Sequence, residues 1–425
     1  MKIQYIDAYE ILDSRGNPTV EAKITTESGI SSKASVPSGA STGTKEAIEL
    51  RDGDKERFGG KGVLEACKNI REKIMPAIKG IDVTEQWEID KTMIELDGTE
   101  NKSKLGANAI LAVSLAVARS GAKYSHLPLW KYLRNSLRFK KDENYDFPVP
   151  LLNVINGGVH ADSGLDVQEY MIIPSGIKGF ANRMRAGAEL YHALRNRLAE
   201  QGFRVAVGDE GGFAPSLHSN EDALAQIANT VKSSNYELGK QVKIGMDVAA
   251  SEFYDKKKDL YDMKLDQKQL NSKQMAELYE KWIEDYHIEL IEDPMSEFDW
   301  KGWTDFNKQS GDKITIVGDD LTVTNKKIVE EAHKKKAINS VLIKVNQIGS
   351  LSETAQCIQA ARNHDMSIAI SHRSGETEDT FIADLAVAAT AEYVKFGAPA
   401  RSERVSKYNR ISKIERKHHE IISFS

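Results

Sequence analysis

The chain has little cysteine, no long apolar run and no excess of positive charge. Only Cys67 and Cys357 occur among its 425 residues, far apart. Two isolated thiols imply no disulfide framework and fit a reducing compartment such as the cytoplasm. The longest apolar stretch, 107–118, is interrupted by Asn108 and Ser114 and is too short to span a bilayer, so a buried helix is expected there. The net charge of -5 and a pI near 6.1 argue against a broad nucleic-acid surface, which needs clustered cations to displace counterions. The lysine runs at 256–258 and 334–336 read as solvated helix ends or loops. The opening residues carry charge and lack the apolar core of a signal peptide.

What is present is enough apolar content, 40%, for a large core, and a length that suggests two domains. Residues 1–138 read as an α+β unit: Val20, Ala22 and Ile24 alternate with polar residues before a Glu-Ser-Gly turn, as in an antiparallel meander. A charged stretch after Leu137, followed by Phe147-Pro-Val-Pro150, marks the boundary, which leaves 139–425 as the second domain.

In that second domain short apolar runs each close on a polar residue. They are Lys243-Ile-Gly-Met-Asp247, Ile288-Glu-Leu-Ile-Glu292, Ile314-Thr-Ile-Val-Gly-Asp319, Ser340-Val-Leu-Ile-Lys344, Ser367-Ile-Ala-Ile-Ser-His372 and Glu392-Tyr-Val-Lys395. Helices fit between them: Met275, Leu278, Tyr279, Trp282 and Ile283 form one stripe after a cap at Asn271 or Ser272, and Ser350 with Glu353 resembles a capping box. Repeated strand–helix units predict an α/β fold with a parallel sheet, whose polar strand ends meet at one mouth.

At that mouth Asp247, Glu292 and Asp319 would repel one another unless neutralised. Oxygen ligands without cysteine point to Mg²⁺ or a similar hard ion, and the plainer alternative is ion pairing with Lys344, Lys395 or Arg373. A base at Lys344 would need its pKa lowered by roughly three units, about 4 kcal/mol. A dication 5 Å away supplies about 7 kcal/mol at an effective dielectric of 20. Three carboxylates pull the other way, so a second ion or closure of the site is required. A base beside metal suits proton removal from carbon next to a carboxylate, and Glu210, flanked by Asp209 and Gly211-Gly212, is the candidate acid. His372, Arg373, Ser374 and Lys395 offer cationic and hydroxyl groups for an anionic substrate. The small-residue run 36–43 reads either as a plain flexible loop or as a closing loop bringing Ser41 to a ligand or ion.

Several long stretches resemble the enolase family: Asp13-Ser-Arg-Gly-Asn-Pro-Thr-Val-Glu21, Ser38-Gly-Ala-Ser-Thr-Gly43, Gly208-Asp-Glu-Gly-Gly212, Gly318-Asp-Asp-Leu-Thr-Val-Thr324, Leu342-Ile-Lys-Val-Asn-Gln-Ile-Gly-Ser350 and Ser371-His-Arg-Ser-Gly-Glu-Thr-Glu-Asp379. The resemblance implies Mg²⁺-dependent, reversible dehydration of 2-phosphoglycerate to phosphoenolpyruvate, with two ions per site. Lys344 would be the base and Glu210 the acid. Asp247, Glu292 and Asp319 would hold one ion and Ser41 the other, while His160, Gln168, Glu169, Arg373, Ser374 and Lys395 would line the substrate pocket. It further implies an N-terminal α+β cap on an α/β barrel with irregular first units, including an antiparallel strand. A homo-oligomer, dimer or octamer, and a secondary cell-surface pool follow in the same way. The rival readings are another acid dehydratase of the same superfamily and a non-catalytic binding protein on the same fold.

Overall fold

The computed structural model describes residues 1–39, 43–140 and 147–423; Ser41 lies outside the described residues. Strands β1 (Ile3–Leu12), β2 (Pro18–Thr26) and β3 (Ser31–Ser35) form the antiparallel meander expected from the alternation. Val20, Ala22 and Ile24 are fully buried and the sheet packs on the helix Ala107–Tyr124, in which every residue from Ala107 to Ala118 is buried. Small side chains make that burial possible: a Cβ on Gly121 would sit 2.1 Å from the Tyr132 hydroxyl.

The remaining strands form a nine-stranded sheet and a small side sheet. The nine are β4 (Val149–Pro150), β5 (Leu152–Asn156), β6 (Glu169–Ile173), β7 (Lys243–Asp247), β11 (Ile288–Glu292), β12 (Thr315–Gly318), β13 (Ser340–Ile343), β14 (Ser367–Ser371) and β15 (Tyr393–Lys395). Between β7 and β11 the chain forms a side hairpin sheet of β8 (Tyr254–Asp255), β9 (Leu260–Met263) and β10 (Lys268–Leu270). The order β4-β15-β14-β13-β12-β11-β7-β6-β5 leaves β4 and β5 at its two edges. Those edges are separated in the chain by Leu151 alone, so the sheet curls round into a barrel.

From β7 through β15 to β4 all pairing is parallel, but β6 runs antiparallel to both β5 and β7. The strand–helix period alone overstates the parallel character; the irregular start implied by the family resemblance is what the chain adopts. No long helix separates β5 from β6, only a 3-10 turn at Gly158–His160, and an antiparallel return needs no crossover.

The helices start where the caps predict. Asn271 and Gln274 form a reciprocal capping box on Ser272–Tyr286, whose Met275, Tyr279 and Trp282 are fully buried. Ser350 accepts from the Glu353 N–H at 3.3 Å, but the Glu353 carboxylate takes the Ser350 hydroxyl instead of its backbone, giving half a box. Gly349, at φ +87°, makes the preceding turn, where a Cβ would come 2.9 Å from that of Ala107.

Leu151, Met171, Ile173, Leu290, Val317, Leu342 and Ala369, each with no exposed surface, fill the barrel as a separate apolar plug. Burying the six larger of these side chains removes them from water at roughly 1.5–3 kcal/mol each. It also decides what stands above them.

Candidate active site

Side chains alternate along a strand, so residues two positions beyond the plug face the same interior. Leu290 leads to Glu292, Val317 to Asp319, Leu342 to Lys344, Ala369 to Ser371, and Tyr393 to Lys395. Gly245 leads likewise to Asp247, and it is glycine because a Cβ would meet Ile173 Cδ1 at 2.7 Å. On antiparallel β6 the sense reverses: Met171 leads back to Glu169 at the strand's start. Register sets Glu169 beside Asp247 and Asp247 beside Glu292, three acids on adjacent strands.

Like charges in such a row are destabilising unless a cation intervenes. Lys395 Nζ lies 2.8 Å from Asp247 Oδ2, 2.8 Å from Glu292 Oε2 and 3.4 Å from Glu169 Oε1. Lys344 pairs with Asp319, whose other oxygen accepts from Gln347 Nε2 at 2.9 Å. Both acid–lysine pairings offered by the plainer reading are therefore present. Burial lowers the Lys344 ammonium's pKa, yet Asp319 outweighs it and raises the group above an ordinary lysine, the direction expected from charge counting.

The lysines leave part of the acid cluster unsatisfied. Glu292 Oε1, Glu169 Oε2 and Gln168 Oε1 are buried without a hydrogen-bond partner among the described residues. Burial, then Asp247, pushes the Glu292 carboxyl well above its usual range. Asp293, Asp319 and Asp320 offer oxygens within 4.8 Å of one another. An all-oxygen, under-neutralised set with orphaned acceptors fits a hard divalent cation. Asp293 and Asp320 were not singled out from sequence. Asp293 accepts from the Asp319 and Asp320 N–H groups at 2.9 and 2.8 Å, so it also shapes the turn after β12.

Opposite chemistry gathers around Glu210. Its Oε2 accepts from Asn153 Nδ2 at 3.1 Å and lies 3.3 Å from His372 Nε2, while Oε1 lies 3.7 Å from His160 Nδ1. His160 Nδ1 is also 3.4 Å from Glu169 Oε1. Burial takes His372 down to about 3, against the pull of Glu210 and helped by Arg404. Burial favours a protonated Glu210, but His372 and His160 prevail and hold it well below the usual range. The pair thus rests as a neutral imidazole donating to a carboxylate. Burial and Glu210 push Glu169 up to about 7.

His160, Gln168, Glu169, Glu210, Asp247, Asp319, Lys344, His372, Arg373, Ser374 and Lys395 line one cavity, with Glu292 buried in the same acid row. Gln168 Nε2 donates to Asp247 Oδ2 at 3.3 Å, and Ser374 Oγ accepts from Arg15 Nη1 at 3.3 Å. Arg373 Nη1 reaches Glu46 Oε2 at 2.9 Å and Asn346 Oδ1 at 3.0 Å. Glu46 lies in no periodic pattern, and only its partner reveals it. The stem of the 36–43 loop is tied down: Ser38 and Gly375 exchange backbone hydrogen bonds at 2.8 and 2.9 Å, and Thr44 Oγ1 donates to Glu297 at 2.9 Å.

A nearly closed α/β barrel that gathers hard-metal donors, a buried lysine and a cationic rim at one mouth defines a divalent-metal enzyme acting on a small anion. Comparison with known proteins gives the particular kind. Residues 3–133 match the family model for the enolase N-terminal domain, and residues 144–425 that for the enolase C-terminal TIM barrel domain. The chain is 50% identical over 410 residues to an enolase of Corynebacterium kroppenstedtii, covering 96% of this chain and 94% of the relative. It is 50% identical over 414 residues to an enolase of Nitratiruptor sp., covering 97% and 96%. The chain belongs to the enolase family. Its activity is the hydro-lyase reaction of glycolysis, phosphopyruvate hydratase, and it uses a divalent metal. No helix among the described residues is long and apolar enough to cross a membrane.

Proposed function

We propose that Lys344 takes the C2 proton of 2-phospho-D-glycerate and that Glu210 delivers a proton to the departing hydroxyl, with Mg²⁺ as the metal and two ions per site. The observation that carries this division is the split cavity: Lys344 stands on the acid row's side with Asp319, and Glu210 stands among His160, His372 and Asn153. Asp247, Glu292 and Asp319 would hold one ion, and Ser41 would serve the other. When bound, the cations supply positive charge against the substrate's carboxylate.

The chain's own groups do the rest. Lys344 is charged at rest because of Asp319, so it would act as a base once the positive charge that bound cations would supply offsets that carboxylate and closure strips water from the amine. Glu210 is ionised at rest, and the substrate's negative charge favours the proton it must carry. His372, Arg373, Ser374 and Lys395 bind and orient the anionic ends, and His160, Gln168 and Glu169 line the rest of the substrate pocket. Residues 1–138 act as the cap and 139–425 as the catalytic barrel. Two lone buried thiols fit a cytoplasmic enzyme, and family likeness favours a homo-oligomer.

The test mixes protein, Mg²⁺ and 2-phosphoglycerate and follows ultraviolet absorbance from phosphoenolpyruvate. It also follows C2 hydrogen exchange in deuterated water. Turnover with exchange supports the division of roles; folded protein that shows neither overturns it.

A further inference from the structure

Arg404 lies outside the cavity, has no exposed surface and spends its guanidinium on four acceptors. Nη1 donates to His372 Nδ1 and to the Arg373 carbonyl, both at 2.6 Å; Nη2 donates to the Ser374 carbonyl at 2.6 Å and to the Asp209 carbonyl at 3.0 Å. Two of these carbonyls belong to the segment after β14, and the third immediately precedes Glu210. One side chain therefore spans both segments that build the Glu210 side of the site.

A guanidinium has only donors. Facing one, His372 Nδ1 can only accept, so the ring's hydrogen is on Nε2, the atom 3.3 Å from Glu210 Oε2. Were the hydrogen on Nδ1, it would point at the guanidinium and Nε2 would turn a lone pair on the carboxylate. We infer that Arg404 is a positioning residue for the elimination step, fixing the His372 tautomer so that Nε2–H is aimed at Glu210. A buried cation this size is costly unless its hydrogen bonds are used, and here both Nη atoms are spent on that alignment, while Nε lies 3.4 Å from Glu403 Oε1.

This rests on the division of roles between Lys344 and Glu210, and the test keeps the two apart. Arg404→Lys keeps the charge but loses the fork. It is expected to slow dehydration by about ten-fold or more, within the range general acid–base groups contribute. C2 hydrogen exchange should stay within about two-fold of wild type, and the acidic limb of the rate–pH profile should shift. Equal loss of both activities, or no loss of dehydration, would overturn the inference. Should the variant not fold, ¹⁵N resonances of the wild-type His372 ring decide it: a protonated Nε2 with bare Nδ1 is expected, and the reverse refutes it. Wild-type protein that dehydrates without C2 exchange would overturn the division of roles instead, leaving the ring measurement to judge Arg404.

Discussion

The parallel arc from β7 to β15 and the antiparallel start at β5 and β6 place functional side chains at the same mouth by opposite rules. On the arc the useful residue ends its strand, as Asp247, Glu292 and Lys395 do, or follows it by one position, as Asp319 and Lys344 do. On β6 it opens the strand, as Glu169 does. The arc supplies Asp247, Glu292 and Asp319 with their lysines, while the irregular start, through Asn153, His160 and Glu169, surrounds Glu210, Glu169 also completing the acid row. Pleat and direction together fix which layer a residue enters; position along the strand does not.

The sharpest way to break this contrast is to remove one group from each side. Lys344→Ala, on the arc, should lower dehydration by about 10⁴-fold and abolish C2 exchange with it. Residual exchange in the folded variant would place the base elsewhere. Next in size is a pH effect on the antiparallel side. Glu169, pushed up to about 7 in the folded protein from 4.5, binds its proton more tightly folded than unfolded. Its stabilising contribution is therefore complete below about pH 4.5 and is lost as pH rises through 7, in total about 3 kcal/mol. In chelated protein, denaturant titrations of Glu169→Gln should lack that slope; an unchanged slope assigns the titration to another group. Glu210→Gln should cost about 10²-fold in dehydration while leaving C2 exchange largely in place, and parallel loss of both would erase the distinction between the two sides. The smallest effect belongs to the plug, where Gly245→Ala pushes a methyl against Ile173 and should cost about 1–2 kcal/mol, read as a lower Tm with turnover per folded molecule retained.

Much of the arc was legible in the chain because its code is local. A short apolar run with a polar terminus identifies both the strand and its functional residue, so Lys344, Asp247, Glu292, Asp319 and Lys395 could be reasoned to from the residues themselves. Glu169 and Gln168 precede an apolar run and look like its polar lead-in; only family likeness marked them. Arg404 sits a helix away from anything it orients, and Glu46 pairs with Arg373 across 327 residues of chain, separations no periodicity encodes. Sequence reasoning also saw the acids and lysines as rival explanations, salt bridge or metal. Lys395 and Lys344 show that pairing and orphaned acceptors coexist in one row, because two ammonium groups cannot satisfy every oxygen there.

The apolar plug has a consequence for traffic. With Leu151, Met171, Leu290, Val317, Leu342 and Ala369 sealing the far end, the barrel is a well and not a tunnel. The reactant, the released water and the enol product therefore use the mouth above the plug, and the water that leaves by it is the water the reverse reaction must draw in. The plug limits the route, while the concentrations of the two organic acids set the direction of net flow.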